Sequence, residues 1–350
     1  MIAHTLITKE QKYIYGVQAN IWTEYTGNPA KLEYQLFPRA SALSEIAWSP
    51  KEAKDWKNFE KKLPTQFKRY ELWKTNYSRA YYDLKATITP SANYDALIWT
   101  VQTNMDPGKT GISYVIVKSN PNSTTYKTKD STAQDGKKLQ VTNVTLVDES
   151  HEYNYTAPIR VTSNGAYTAF LHLKNESGDI YGNQISQVSQ QFYFNKATGK
   201  KITLTNPPAV EFPGNGGAFG LVNGALTEKY GNFSEWLGWP GGDMEAVIDL
   251  GTNETVTKIN VHTLDQKRGR YYAPAYVEVF VSTNGTDYTS VGKTSSFVAD
   301  HDNIGNMSIT CSPVAARYIK VFAKNAGTIP EGQPGAGNQA RMLVDEIQVD

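Results

Sequence analysis

Ala246-Val247-Ile248-Asp249-Leu250-Gly251, Lys258-Ile259-Asn260-Val261 and Val277-Glu278-Val279-Phe280-Val281-Ser282 are the stretches that decide the fold. Each is a short run rich in β-branched and aromatic residues with an apolar side chain at every second position. Each therefore reads as a strand with one face turned inward. Arg317-Tyr318-Ile319-Lys320-Val321-Phe322 and Met342 to Val349 repeat the pattern, and Gly-rich loops, notably Pro213 to Gly220 and Gly332 to Gly337, lie between them. Residues 201–350 are thus expected to form one antiparallel β domain, large enough to bury a sandwich core.

Working back from that segment, the same short alternating runs extend to about Tyr77, with no convincing amphipathic helix among them. Asn164-Gly165 separates Ile159-Arg160-Val161 from Tyr167-Thr168-Ala169-Phe170-Leu171 and predicts a two-residue type I′ hairpin, because both loop positions need positive φ. Ser177-Gly178 predicts a second such turn. The polar run Asn195-Lys196-Ala197-Thr198-Gly199-Lys200-Lys201 is expected to be a flexible boundary, giving a second sandwich over 77–200.

Residues 1–76 have a different texture. Tyr13 to Trp22 is a short apolar run with β-branched and aromatic members, which predicts a strand buried on both faces. Helices should follow it. Asn28-Pro29 supplies an N-cap and a first-turn proline ahead of Leu32 and Leu36; Pro38 opens a second helix with Ala40, Leu43 and Ala47 inward. Ser49-Pro50-Lys51-Glu52 reads as a capping box before Trp56, Phe59 and Leu63. A strand followed by helices is the unit of an α/β barrel, and its abrupt start on a buried strand is expected to reflect residues lost upstream.

Composition removes several function classes. The 35 Lys and Arg balance 34 Asp and Glu, leaving a net charge of +1 and no basic stripe of the kind nucleic acid requires. The single Cys311 rules out an internal disulfide or an all-cysteine metal site, and the 5 His are scattered. No run approaches the 18 or so apolar residues of a membrane span, and Met1 to Lys12 lacks an export signal. The 22 Tyr and 7 Trp offer flat apolar faces with a polar handle, which suit sugar rings, although filling sandwich cores accounts for most of them.

Gly16-Val17-Gln18-Ala19-Asn20-Ile21-Trp22-Thr23-Glu24-Tyr25, followed by Leu36-Phe37-Pro38-Arg39-Ala40 and Glu45-Ile46-Ala47-Trp48-Ser49, closely resembles the last strand and helix of family 20 glycoside hydrolase (β-N-acetylhexosaminidase) barrels. The resemblance implies that Trp22 lines the −1 subsite around the N-acetyl group and that Glu24 accepts hydrogen bonds from sugar hydroxyls O4 and O6. Both would sit where barrel enzymes place their active sites. The family hydrolyses by substrate assistance, an exception to the two-carboxylate scheme, with an adjacent Asp-Glu pair in a His-x-Gly-Gly-Asp-Glu context. Asp148-Glu149 and Asp345-Glu346 lack that context and do not precede Trp22, so no catalytic residue is assigned.

Residues 77–200 resemble the immunoglobulin-like or fibronectin-associated domain that follows many such barrels. Residues 201–350 resemble a discoidin-like module, the factor V/VIII type C fold of family 32 carbohydrate-binding modules, through Leu221-Val222-Asn223-Gly224, Trp236, Asp249-Leu250-Gly251, Ser282-Thr283-Asn284-Gly285, Ala316 to Val321 and Val344-Asp345-Glu346-Ile347. The resemblance implies that Asn223, Ser234 and Glu346 hold a structural Ca2+, with Asn in place of the usual Asp removing one charge. No cofactor is required. For sugar it implies the loops at one end of the sandwich, here Arg268, Arg270, Tyr271 and Tyr272, joined by Asn338 and Gln339.

The expected architecture is mostly β: an immunoglobulin-like sandwich and a discoidin-like jelly roll, preceded over 1–76 by a short α/β segment from the end of a TIM barrel. The expected role is an accessory carbohydrate-binding or targeting region of a secreted bacterial hexosaminidase, periplasmic or extracellular, recognising terminal N-acetylhexosamine or galactose. Two rivals remain: a hexosaminidase active only when the missing barrel completes it, and a protein-adhesion module.

Overall fold

The computed structural model describes residues 16–118, 152–175, 177–178, 184–228, 231, 233–301 and 303–350. It contains two compact units, Met1–Asp83 and Leu84–Asp350.

The first unit is helical. α1 (Pro29–Leu36) starts where expected, with Asn28 accepting from the Lys31 N–H at 2.8 Å and Pro29 in the first turn. α2 (Arg39–Trp48) follows a cis Phe37-Pro38 bond. The capping box expected at Ser49 does not start the third helix. Ser49 closes α2, Lys51–Ala53 forms a 3-10 turn, and α3 (Trp56–Leu72) is capped by Asp55, whose carboxylate accepts from the Asn58 N–H at 2.6 Å. Asp55 wins because it stands directly before the amphipathic run. α3 supplies the core, burying Phe59, Leu63, Phe67 and Tyr70 against Tyr77, with Phe37, Ala42, Tyr81 and Tyr82 packed alongside. α1 and α2 bury no side chain fully.

The strand expected over Tyr13 to Trp22 is corrected by the structure. Tyr13 to Tyr15 lie outside the described residues, and Gly16 to Trp22 are exposed irregular chain. A barrel strand satisfies its N–H and C=O groups only through neighbours on both sides, and the described residues of this unit hold no strand to pair with.

The second unit holds two β-sandwiches. In the first, β1 (Lys85–Pro90), β2 (Leu97–Gln102) and β5 (Ile159–Val161) make one sheet in the order β1-β2-β5. The second sheet runs β4 (Tyr153–Asn154), β3 (Thr110–Lys118), β6 (Gly165–Leu173), β7 (Gln184–Phe192). Alternate residues of both sheets meet in a core of Leu97, Trp99, Val101, Val161, Tyr167, Ala169, Leu171 and Phe192. The hairpin expected at Asn164-Gly165 does not form. β5 pairs with β2 and β6 with β3 and β7, so this connection crosses between sheets, and Asn164 instead accepts from the Phe194 N–H at 2.6 Å. Gly178 has the positive φ of a turn, at 85°, but within a longer connection between β6 and β7.

The second sandwich contains β8 (Lys201–Leu204), β9 (Leu237–Pro240), β10 (Met244–Leu264), β11 (Tyr276–Ser282), β12 (Thr289–Thr294), β13 (Val298–His301), β14 (Ile304–Lys324) and β15 (Arg341–Val349). The runs around Ile248 and Val261 are two halves of one long strand, β10, which pairs with β14 along its length. Register breaks between Asp249 and Glu254 and between Val256 and Lys258 bend the pair, as bulges do. The main path is β12-β11-β14-β10-β15-β9, and Met244, Ile248, Val261, Val279, Ile319, Val344 and Ile347 fill the interior with Leu221 and Leu237.

The run Asn195–Lys201, expected to be flexible, is a fixed joint. Lys196 N–H donates to Val349 O at 2.9 Å, Gly199 N–H to Val222 O at 2.8 Å, and Val349 N–H to Asn195 Oδ1 at 3.1 Å. Ala197 is buried in the core of the second sandwich. Polar composition hid this because the stretch spends its polarity on backbone partners rather than on water.

Candidate functional site

At one end of the second sandwich two loops lie side by side. The first leaves β10 through a 3-10 turn, Lys267–Gly269, capped by Gln266 accepting from the Gly269 N–H at 2.9 Å, and Arg270 then takes a left-handed conformation at φ 63°. This turn delivers Tyr271 into a parallel bridge with Arg341. Arg341 N–H donates to Arg270 O at 2.9 Å and Tyr272 N–H to Arg341 O at 3.1 Å, which fixes the loop against the start of β15. The second loop reaches it through Gly335, whose missing side chain leaves room for Arg270: a Cβ there would lie 2.5 Å from Arg270 Cγ.

The structure thus brings together all six residues expected to bind sugar, in unequal positions. Arg268, Asn338 and Gln339 are exposed and Arg270 is half-buried. Asn338 donates to Gly335 O at 3.0 Å and Gln339 to Thr328 Oγ1 at 3.1 Å, so both amides are oriented from within their own loop. Tyr271 and Tyr272 turn inward, at 8% and 9% exposure. The Tyr271 ring packs with Phe212 and Phe233 over Trp236, Leu264, Ile304 and Leu343, and Tyr272 packs with Ile329 and Ala340. They form the floor of the loops, and the outward chemistry is guanidinium and amide. The Arg341 guanidinium, 6.0 Å from both the Phe212 and Tyr271 rings, also belongs to this cluster; nothing in its local sequence marked it.

At the joint of the two sandwiches stand the residues expected to hold a cation. Glu346 on β15 is fully buried and accepts from the Gly224 N–H at 3.1 and 3.3 Å, while Asn223 Oδ1 accepts from the Ala225 N–H at 2.8 Å. Ser234 is exposed, with its hydroxyl 3.5 Å from Glu235. Burial, reinforced by neighbouring Asp345, pushes the Glu346 carboxyl well above the usual carboxylate range. Asp345 itself accepts from the Thr227 N–H at 2.7 Å and meets His262 Nδ1 at 2.6 Å. Burial alone would lower the His262 pKa, but the Asp345 charge and hydrogen bond outweigh it and raise it. Asn223 and Glu346 offer the oxygen atoms a hard cation takes, and in this arrangement those oxygens accept backbone N–H bonds. No group of three or more His, Cys, Asp or Glu converges as a metal site among the described residues.

In the first unit, Trp22 is 79% exposed and precedes the 3-10 turn Thr23–Tyr25 that carries exposed Glu24. Thr26 Oγ1 donates to Gln35 at 2.7 Å and ties this turn to α1. Of the two Asp-Glu pairs, Asp345-Glu346 is interior to the second sandwich and Asp148-Glu149 lies outside the described residues.

With this geometry in place, the likenesses to known proteins fall where the two units suggest. The Glycosyl hydrolase family 20, catalytic domain, matches residues 2–51, and the F5/8 type C domain matches residues 201–335. A beta-hexosaminidase of Porphyromonas gingivalis is 34% identical over 68 residues, 19% of this chain and 9% of that protein. A beta-hexosaminidase of Akkermansia muciniphila is 38% identical over 69 residues, 20% of this chain and 14% of that protein. The matched stretches therefore span well under a fifth of these relatives. Among solved structures, chitosan-binding module 1 of a chitosanase/glucanase from Paenibacillus sp. IK-5 aligns at 19% identity over 45% of this chain and 99% of its own, with a TM-score of 0.30. The chain is mostly β, with residues 2–51 similar to part of the family 20 catalytic domain and residues 201–335 similar to the F5/8 type C domain.

Proposed function

We propose that this chain is the C-terminal region of a β-N-acetylhexosaminidase and serves as its accessory glycan-binding part, reading terminal galactose or N-acetylhexosamine without hydrolysing them alone. The observation that carries the reading is the loop pair of the second sandwich. Arg270 sits against Gly335, and Arg268, Asn338 and Gln339 face outward on a buried aromatic floor. Guanidinium and amide groups donate to sugar hydroxyls, while the floor keeps the loops from collapsing. Each such bond mostly replaces a bond to water and contributes roughly 1 kcal/mol net. A shallow site of this kind binds with a dissociation constant of about 1 mM, near 4 kcal/mol.

Trp22 and Glu24 would line a sugar subsite only within a completed barrel, since they can position a sugar but supply no proton to a leaving group. Asn223, Ser234 and Glu346, with backbone carbonyls, would hold a structural Ca2+; the ion's charge would offset the burial of Glu346 and pin the 221–224 segment to β15. Chelation with EDTA is then expected to lower the melting temperature, because a ligand bound only by the native state stabilises it.

The test is an NMR titration of the chain with galactose, N-acetylgalactosamine and N-acetylglucosamine, beside an assay on an aryl N-acetylglucosaminide. Shifts at Arg268 to Tyr272 in tens of millimolar sugar, without turnover, are expected. No shift in those signals leaves the adhesion reading, and turnover above a buffer blank overturns the claim of inactivity.

A further inference from the structure

The two loops at the end of the second sandwich are charged as well as polar. Over 265–272 and 327–341 stand four cations, Lys267, Arg268, Arg270 and Arg341, against two carboxylates, Asp265 and Glu331, in a chain that is otherwise nearly balanced. Asp265 lies 3.9 Å from Lys267, so that cation is matched locally. Arg268, Arg270 and Arg341 belong to no ion pair among the described residues. Arg270 is also held in an unusual way. Its φ of 63° lies in the left-handed region, where a side chain is strained and glycine is not. Its stem lies over Gly335, where a Cβ would come within 2.5 Å of Cγ and 2.7 Å of Cδ. A glycine cleared beneath the stem fixes the guanidinium, and a fixed donor loses less freedom when it binds. Tyr271 and Tyr272 are buried and offer little ring face for a sugar to stack on. What a ligand meets is therefore guanidinium and amide.

We infer that the preferred ligand of this loop pair is an acidic sugar, a galactose or N-acetylhexosamine type of ring whose carboxylate or sulfate ester is taken by Arg270 and Arg268 and whose hydroxyls meet Asn338 and Gln339. The inference rests on the loop-site reading proposed above and names its substrate class. A guanidinium presents parallel N–H donors that match two oxygens of a carboxylate or sulfate, and such charge-assisted bonds are roughly twice as strong as those to a neutral hydroxyl. A neutral sugar leaves the excess positive charge of the loops uncompensated, whereas an anion is drawn to it. Asn338 and Gln339 spend their amide N–H groups on Gly335 O and Thr328 Oγ1, which leaves their oxygens to accept from hydroxyls. Three guanidiniums on two loops suit one anionic group and not the long basic stripe that a nucleic-acid backbone needs.

The experiment is amide-shift titration of the full chain with galactose, galacturonic acid, galactose 6-sulfate and sodium sulfate as separate probes. At least one of the two acidic sugars is expected to bind about tenfold more tightly than galactose, and which of them does so says whether the anion is carboxylate or sulfate. That gain is expected to shrink between about 50 and about 500 mM sodium chloride, because exposed charges are screened, while galactose binding holds. Arg270→Gly suits the left-handed backbone, so it is expected to fold and to bring the gain below about threefold. Should it not fold, Arg268→Gln, at an exposed position, decides alone by the same measure. Acidic sugars that bind no tighter than galactose, or a gain that survives in the variants, would overturn the assignment and leave the loop-site reading standing. Sulfate shifting the same signals at the same concentrations would show an adventitious ion only and overturn it too. No shift with any sugar would overturn both.

Discussion

At the bend of β10, Asp249 shows how one residue links strand register to charge. Arg317 on β14 donates to both its oxygens, at 2.8 and 3.0 Å, and the Gly251 N–H adds a third bond at 2.9 Å. The Arg317 hydrogen bonds, partly opposed by burial, hold the Asp249 carboxyl below the usual carboxylate range. A depressed acid stabilises the fold above its unfolded pKa of about 4, and the contribution fades as pH falls through the lower folded value. Arg317→Met is therefore expected to lower the melting temperature at pH 7 and to converge on the unsubstituted chain at strongly acid pH. Thermal unfolding across that range checks it, and a gap independent of pH would assign the loss to packing. In the sequence Asp249 and Arg317 read only as members of two separate strands. Their pairing depends on a register between positions far apart in the chain.

Among the elements, the contrast between α3 and the Gly16–Trp22 segment is the most informative. α3 has four buried residues at helical spacing and makes its own hydrogen bonds, so a helix could be read locally; Phe59 and Leu63 hold as its inner face, while Trp56, expected with them, is exposed. The Gly16–Trp22 segment carries an equally clear apolar pattern, yet it lies exposed, because a strand's bonds come from other strands. Hydrogen exchange of the dilute chain is expected to show fast exchange over Gly16 to Trp22 and protection in the middle of α3. Strong protection across Gly16 to Trp22 would contradict the description. Leu63→Ala, which removes a side chain at the centre of the helical core, is expected to cost about 2–5 kcal/mol and to lift that protection first.

On the scale of the whole second unit, the joint decides where the chain can be cut. Asn195, Lys196, Ala197 and Gly199 bond to or lie within the second sandwich, and a Cβ on Gly224 would meet Thr198 at 3.1 Å and Tyr193 O at 3.2 Å. A fragment starting at residue 201 is expected to melt lower than one starting at 193, since it loses the Ala197 plug and the bonds to Val349 and Val222. Equal melting temperatures would show the joint to be dispensable. What the sequence determined by itself was whatever rests on local periodicity and on motif order: the mostly β class, the helices behind Asn28 and Pro38, the strands β10, β11, β14 and β15 of the last domain and the two family likenesses. Tertiary structure decided the rest. It set which strands share a sheet around Asn164, turned Tyr271 and Tyr272 inward as a floor, and tied a polar run to Val222 and Val349 as a fixed joint. In each of these the partner atoms come from distant parts of the chain, and neither pattern nor composition specifies which distant group will satisfy a given donor or cover a given face.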